Sequence, residues 1–365
     1  MEKKDKTLNV PHLRFPEFSG EWENLSLNDI VLEKKKRVSS STLTTSTYIS
    51  TENMLQNFAG VSKANGVPSN NVVEYKIGDI LISNIRPYLK KIWLANQNGG
   101  CSSDIIVLSP CENYDGSFVY YLLANDGFVS YVMSGAKGLK MPRGDKQQIL
   151  KYGISIPSLK EQRKIAALLD LFDQRIKTQK KIIEDLKKLK AAICIFKLKS
   201  HCEKEYAIRE LCQSITAKQY IANEITSEGT YPIIQQGENS IAGYTDSLPF
   251  LNYKKVILLG DHTLSIYRPE TPFLIATDGI KILKPNEMVI RDYFYYLLYT
   301  FMPEPEGYKR HYSILKDIIV PIPNIKMQES IVDKLLSIDS KLEIEERILE
   351  LQIQQKQYLL NRLFI

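Results

Sequence analysis

The sequence predicts an α+β fold written twice: a globular domain of short strands and helices, then a long α-helix, then the same again. The two helices are expected to pair as an antiparallel coiled coil with pseudo-two-fold symmetry. Three observations lead there. Residues 156–176 (IPSLKEQRKIAALLDLFDQRI) and 322–342 (IPNIKMQESIVDKLLSIDSKL) align without a gap, and seven of the 21 positions are identical. An internal repeat of this kind decides the architecture before any local reading does. Apolar residues after each Ile-Pro recur at alternating steps of four and three, the spacing of a coiled-coil seam. Landmarks ahead of each helix also correspond, FVYYLL at 118–123 with YFYYLL at 293–298.

The chain of 365 residues is long enough for two or three domains. Charged residues make up 25% and hydrophobic ones 44%, an ordinary soluble composition. The opening MEKKDKTLNVPHL has no apolar stretch of a secretory signal. The longest apolar run, FYYLLYTFM at 294–302, is too short to span a bilayer, so no membrane partner is expected. The cysteines, Cys101, Cys111, Cys194, Cys202 and Cys212, are odd in number and form no CxxC, which points to a reducing cytoplasm.

The elements follow in order. Residues 1–155 form the first globular domain, with recognisable sequence from about 12, and 156–199 form the central long helix. Residues 200–321 form the second domain and 322–365 the C-terminal long helix. Within the domains GDILISNIRPYLKKIWLA (78–95) resembles VILLGDHTLSIYRPETPFLIA (256–276), and SSDIIVLSP (102–110) resembles ATDGIKILKP (276–285). These are β-rich runs broken by Gly, Asn and Pro. Residues 34–71 have no counterpart in 215–250, so a repeated scaffold carries two dissimilar inserts. Pro157 and Pro323 force extended backbone before them, and each helix can begin just beyond. The seam reads Ile165, Leu169, Phe172, Ile176, Gln179, Ile183 and Leu186 in the first helix. In the second it reads Ile331, Leu335, Ile338, Leu342, Glu345 and Leu349, and each helix is roughly 60 Å long. Antiparallel pairing sets Gln179 opposite Glu345 as a polar layer that fixes register; the alternative is that these side chains lean into solvent.

The net charge is +6, but its placement is uneven. Residues 160–199 hold twelve Lys/Arg against five Asp/Glu, whereas residues 326–365 hold six against seven. The rest of the chain is close to neutral, so any nucleic-acid face must arise by clustering. No GxxxxGK[ST] loop, GxGxxG turn or Asn-Pro-Pro-aromatic run occurs. His12, His201, His262 and His311 are scattered, and His201, Cys202 and Cys212 are too few to hold zinc. Glu74-Tyr75-Lys76 lacks the carboxylate partners of a nuclease site and reads as a strand edge. No catalytic set and no metal site is expected. What remains is polar, aromatic and basic interleaving in loops. The first domain offers Lys35, Lys36, Arg37, Asn84, Arg86, Tyr88, Lys90, Lys91, Lys137, Lys140, Arg143 and Lys146. The second offers Gln235, Gln236, Asn239, Tyr244, His262, Tyr267, Arg268, Lys309, Arg310 and His311. Arg and Lys neutralise phosphates, and Gln, Asn and Arg read base edges; packed turns are the competing reading for each residue taken singly.

LRFPEFSGEWENLSLNDI (13–30), GDILISNIRPY, SSDIIVLSP, GLKMPRGDKQQI, IIQQGENSIAGYTD and the two Ile-Pro-x-x-x-x-Gln-x-x-Ile helices together resemble the specificity subunit of a bacterial type I restriction-modification system. The resemblance covers nearly the whole chain. Met327 and Glu329 depart from the Glu-Gln-Arg of the first copy, and Trp22 has no tryptophan counterpart near Tyr206. The resemblance implies two target-recognition domains, each reading half of a bipartite asymmetric site in double-stranded DNA, with the helix pair as a ruler. It implies two modification (methyltransferase) subunits and restriction subunits as partners. S-adenosylmethionine, ATP and Mg2+ are then expected on those partners and none in this non-catalytic chain. The rival readings are a coiled-coil scaffold or adaptor without base-specific DNA binding, a nuclease with a cryptic metal site, and a specificity subunit acting in methylation only.

Overall fold

The computed structural model describes residues 9–199, 204–237, 239–305, 307 and 310–365. The chain divides into two compact units: one runs to Thr178 and resumes at Leu349–Ile365, the other is Gln179–Ile348. The long helices are Leu159–Lys199 and Ile325–Leu363, and each unit holds a portion of both. Each starts two residues after its proline, as the clash of the proline ring with a preceding helical residue dictates.

The first unit contains strands β1 (Glu23–Ser26), β2 (Val31–Glu33), β3 (Arg37–Val38), β4 (Tyr48–Ile49), β5 (Val72–Tyr75), β6 (Ile80–Ser83), β7 (Ile92–Leu94), β8 (Gly99–Cys101), β9 (Ile105–Pro110) and β10 (Gly153–Ile156). β1 pairs antiparallel with β10, Glu23 opposite Ile156, just ahead of the first long helix. A middle sheet has the order β2-β9-β6-β7 and an outer sheet the order β3-β5-β8-β4. Alternation along the middle strands feeds two cores. Ile80, Ile82, Ile92, Ile106 and Leu108 pack with Phe118, Phe128, Ile165, Leu169, Leu360 and Leu363. Leu81, Trp93, Ile105 and Val107 pack with Ile49, Tyr75 and Cys101 of the outer sheet.

The second unit repeats the plan with strands β11 (Glu205–Ala207), β12 (Cys212–Ile215), β13 (Tyr231–Ile234), β14 (Ile241–Thr245), β15 (Ile257–Gly260), β16 (Ile266–Tyr267), β17 (Leu274–Ile275), β18 (Ile280–Pro285) and β19 (Ile319–Pro321). β11 pairs with β19, and the middle sheet β12-β18-β15-β16 matches β2-β9-β6-β7 position for position. The outer sheet matches only in part: it is β14-β13-β17, and its parallel pair β13-β17 answers the parallel pair β4-β8. The strands at the differing edges, β3 in one unit and β14 in the other, fall in the stretches 34–71 and 215–250, where the sequence shows no correspondence. The outer core is built from Ile234, Phe250, Leu258, Phe273, Ile275, Ile280 and Ile282.

The identities between the two copies now have physical reasons. Gln162 and Gln328 are buried. Gln162 accepts a hydrogen bond from the Asp115 amide (2.9 Å) and donates to the Pro157 carbonyl (2.9 Å). Gln328 accepts from the Ile290 amide (3.0 Å) and donates to the carbonyls of Pro323 and Met288 (2.9 Å each). Each glutamine thus satisfies backbone groups that burial would otherwise leave unpaired. Asp173 accepts from the Tyr121 hydroxyl (2.7 Å) and pairs with Lys356 (2.5 Å). Asp339 accepts from the Tyr296 hydroxyl (2.7 Å) and pairs with Lys190 (2.6 Å). Both lysines also lie over their tyrosine rings, at 5.2 and 5.4 Å. No contact in the structure explains the Lys160/Lys326 identity.

In the second unit the partners run in opposite senses along the helices, Gln179 with Glu345 and Lys190 with Asp339, so the pairing is antiparallel. Gln179, 7% exposed, donates to the Glu345 carboxylate (2.5 Å) and to its carbonyl (2.9 Å). Every seam position is buried or half-buried: Ile165, Leu169, Phe172, Gln179, Ile183, Ile331, Leu335 and Leu342 are buried, and Ile176, Leu186, Ile338, Glu345 and Leu349 are half-buried. The two departures of the second copy track a segment of the first unit. Glu161, 1% exposed, holds Arg14 through two bonds of 2.7 and 2.8 Å, and the Leu13 amide donates to the Arg362 carbonyl (2.9 Å). Met327, at the position of Glu161, is 40% exposed. Trp22, 3% exposed, lies edge-on to Phe118.

Asp339→Ala strands a buried tyrosine hydroxyl and a lysine of which 15% is exposed. It is expected to destabilise the chain by about 2–4 kcal/mol, read as a lowered midpoint in urea unfolding. Glu184→Ala, which breaks the exposed pair with Lys188, is expected to leave that midpoint nearly unchanged.

Candidate nucleic-acid interface

In the first unit two loops converge. The loop after β6 carries Asn84, Arg86, Tyr88, Lys90 and Lys91, with a 3-10 turn at Pro87–Leu89. Arg86 and Lys90 flank that turn with φ of 50° and 55°, left-handed conformations that side chains rarely adopt. Such strain persists where neighbours over-determine it, and it concentrates at functional sites. Here the neighbours are Asn57 and Phe58, themselves at φ 55° and 58°, whose amides donate to the carbonyls of Leu89 and Lys90. The second loop is a closed tip. Lys137 and Arg143 exchange reciprocal backbone hydrogen bonds of 2.9 Å, and Gly138 at φ 97° turns the chain between them. The tip is stitched to the first loop through Arg86 N to Pro142 O (2.8 Å) and Gly144 N to Asn84 O (3.1 Å).

The cations divide into held and unheld. Lys35 and Lys146 both pair with Glu33, Lys36 with Glu74, Lys90 with Asp126, Lys137 with Asp145 and Arg143 with Asp104. Burial pushes the Glu33 carboxyl up, but Lys146 and Lys35 outweigh it and hold it below its ordinary range. Lys91 donates to the Thr51 carbonyl (2.6 Å), and burial lowers its ammonium. Arg37, Arg86 and Lys140 are exposed and have no ion pair among the described residues.

In the second unit the corresponding loop follows β15. Leu264 there has φ 57°, again a left-handed non-glycine residue. The β13–β14 turn with Gln235, Gln236 and Asn239 is stitched to it: the Gln236 carboxamide accepts from the His262 amide (3.2 Å), and the Gly237 amide donates to Ser265 Oγ (3.1 Å). Gln235 donates to the Asn239 carbonyl (3.0 Å). Tyr244 and Tyr267 are half-buried on β14 and β16. Arg310 is exposed and has no ion pair among the described residues, and Lys309 lies outside those residues, as do His201 and Cys202.

Two expected contacts are corrected by their surroundings. His311 is 0% exposed; its amide and ring bond the Asp261 carbonyl (2.8 and 3.2 Å), so it has no surface to offer a ligand. Arg268 lies over the Tyr295 ring and pairs with Glu270 (3.2 Å) and Asp292 (3.7 Å), a packed network shared with Arg291. Burial works against its charge, and Asp292, Tyr296 and Glu270 together outweigh burial, leaving it a fixed cation inside the unit.

The sequence reading missed a basic groove. Lys254, Lys255, Lys284 and Arg291 line a space of about 830 Å³ with Glu210, Gln213 and Asn286. Register brings them together, Gln213 opposite Lys284, and no sequence period signals that. At the equivalent register in the first unit Leu32 faces Ser109, and Leu32 is 65% exposed. Catalytic groups are harder to assemble. Among the described residues no three His, Cys, Asp or Glu are placed to hold a metal. Burial raises Cys101 to about 12 and Cys212 to about 11, so neither is a thiolate nucleophile at neutral pH. Among the described residues no helix is long and apolar enough to cross a membrane.

Comparison with known proteins fits this doubled arrangement. The family described as the type I restriction modification DNA specificity domain matches residues 19–188 and again 203–354. The type I restriction enzyme MjaVIII specificity subunit of Methanocaldococcus jannaschii is 25% identical over 286 residues, 64% of this chain and 66% of that protein. The type I restriction enzyme EcoDI specificity subunit of Escherichia coli is 24% identical over 178 residues, 48% of this chain and 35% of that protein. The match thus spans just under two thirds of the first relative's length and about a third of the second's. The crystal structure of the type I restriction-modification S subunit from M. genitalium superposes with a TM-score of 0.67 at 18% identity, covering 98% of this chain and 99% of that one, so the fold is shared. With the family domain matched twice over most of its length, the chain belongs to the type I restriction modification DNA specificity family.

Proposed function

We propose that the chain is the DNA-reading, non-catalytic subunit of a type I restriction-modification complex. One observation carries the reading: a single scaffold occurs twice, with matching middle sheets and dissimilar outer sheets and loops. That is the arrangement a bipartite asymmetric target requires, one recognition domain per half-site. Residues 1–155 and 200–321 are the two recognition domains, with direct contacts from the stitched loops around Arg86, Lys140, Gln235 and Asn239. Unpaired cations there are suited to phosphates, and carboxamides to base edges. The helices at 156–199 and 322–365 act as the ruler between half-sites. Two modification subunits carry S-adenosylmethionine and methylate adenine, and restriction subunits carry ATP and Mg2+. The complex works in the cytoplasm.

Deleting this chain in its host and mapping methylated adenines by long-read sequencing is the test. A split motif with a fixed gap is expected to vanish; an unchanged map refutes the reading. Removing one heptad from each long helix, residues 180–186 and 346–352, keeps the seam in phase and shortens each helix by about 10 Å. The methylated motif is expected to keep both half-sites and change its gap by roughly three base pairs; altered half-sites with the gap intact would refute the ruler. Replacing residues 12–155 with another recognition domain is expected to change one half-site only, and change in both would refute the modular assignment.

A further inference from the structure

The closed tip at 137–143 is an unusual piece of surface. Leu139 is 105% exposed and Met141 50%, so a basic loop presents apolar side chains to solvent. Nothing in the unit covers Leu139, and single exposed leucines are common enough to need no explanation by themselves. This one differs in its support and its neighbours. Its base is closed by the reciprocal Lys137–Arg143 bonds, and Pro142 is held by the Arg86 amide. A Cβ at Gly138, already at φ 97°, would sit 3.3 Å from the Met141 carbonyl, so the turn is built around that glycine. Lys140 lies inside the tip and Lys137 and Arg143 bracket it, while the stitched loop adds Arg86 and the 48% exposed Tyr88. Asp145 and Asp104 hold Lys137 and Arg143, which leaves Lys140 and Arg86 as the unpaired cations beside the tip among the described residues; a preformed apolar point with such neighbours is the chemistry of a side chain that enters a stack of base pairs while the cations hold the phosphates.

We propose that Leu139 is a wedge: with Lys140 and Arg86 on the backbone, it inserts between two base pairs of the first unit's half-site and unstacks them. The proposal rests on the DNA-reading function above and adds a residue that distorts the target rather than reading a base edge. Part of the specificity then comes from the ease of unstacking one step, which favours a flexible pyrimidine–purine step there. A protein partner is the competing occupant of so exposed a tip. The unpaired Lys140 and Arg86 and the tie to the strained Arg86 loop favour DNA.

The test uses the full chain in its native complex, purified from the host, and a duplex carrying the mapped motif with 2-aminopurine placed at successive positions of each half-site. Wild type is expected to raise the fluorescence at one step of one half-site. Leu139→Ala is expected to abolish that rise and weaken binding roughly tenfold, while Leu139→Phe retains both. Lys140→Ala is expected to keep the rise at saturating protein and to lower the salt dependence of binding by about one ion. A p-benzoylphenylalanine at position 139 is expected to cross-link to DNA. Site-specific binding with no fluorescence rise at any position, an unaltered Leu139→Ala signal, or a cross-link to a protein of the complex each overturns the wedge and leaves the DNA-reading role standing. Equal binding of wild type to scrambled duplex overturns that role itself.

Discussion

Asp173 and Asp339 tie together parts of the chain that lie far apart in sequence. Each carboxylate takes a hydroxyl from a tyrosine of the globular part and an ammonium from the opposite long helix. A helix of this length gets little stability from propensity and most from packing of its apolar face. The seam is interrupted by the polar Gln179 and Glu345, and Lys190 and Lys356 lie half-buried further along the same helices, so apolar contact cannot fix the pairing everywhere. The two clusters supply direction where the seam lacks it, because a tyrosine hydroxyl and a lysine ammonium meet one carboxylate in a narrow set of geometries. The buried glutamines act at the next point along, fixing where each helix leaves its strand and where the adjacent loop turns. Within each unit the attitude of the globular part on its helix follows from these few polar contacts.

The candidate interface shows a division of labour between charges. Most lysines that read as DNA contacts are partnered by carboxylates of their own unit, where they shape loops. Such exposed pairs contribute little stability each, and they are also easily exchanged for a stronger anion. Arg37, Arg86 and Lys140 have no such competition among the described residues. The second unit carries carboxamides in its stitched turns, with Tyr244 and Tyr267 on strands β14 and β16.

The repeat and the long helices were legible because proline punctuation and a sustained seven-residue period leave little choice of structure. The middle sheets were legible as matching landmarks. The outer sheets were not: β3 and β4 have two residues each, too short for a period to show, and their partners come from distant sequence. His311 read as a member of a basic run, yet its role depends on Asp261, fifty residues away. Arg268 read as a loop cation beside a tyrosine, and its acidic neighbours Glu270 and Asp292 claim it. In both cases residue type was visible and surroundings were not.

The first unit is discontinuous, and that has a consequence for how the chain matures on the ribosome. Its core includes Leu360 and Leu363, and the Leu13 amide is bonded to Arg362. The second unit draws only on residues 179–348. The later-made unit can therefore finish first, while the earlier-made one waits with Ile165, Leu169 and Phe118 uncovered until the final turns of the second helix emerge. Exposed apolar surface held for that interval is the state in which nascent chains associate wrongly. A temporary cover for this patch during synthesis, by a chaperone or by a nascent partner, follows from the order in which the pieces appear.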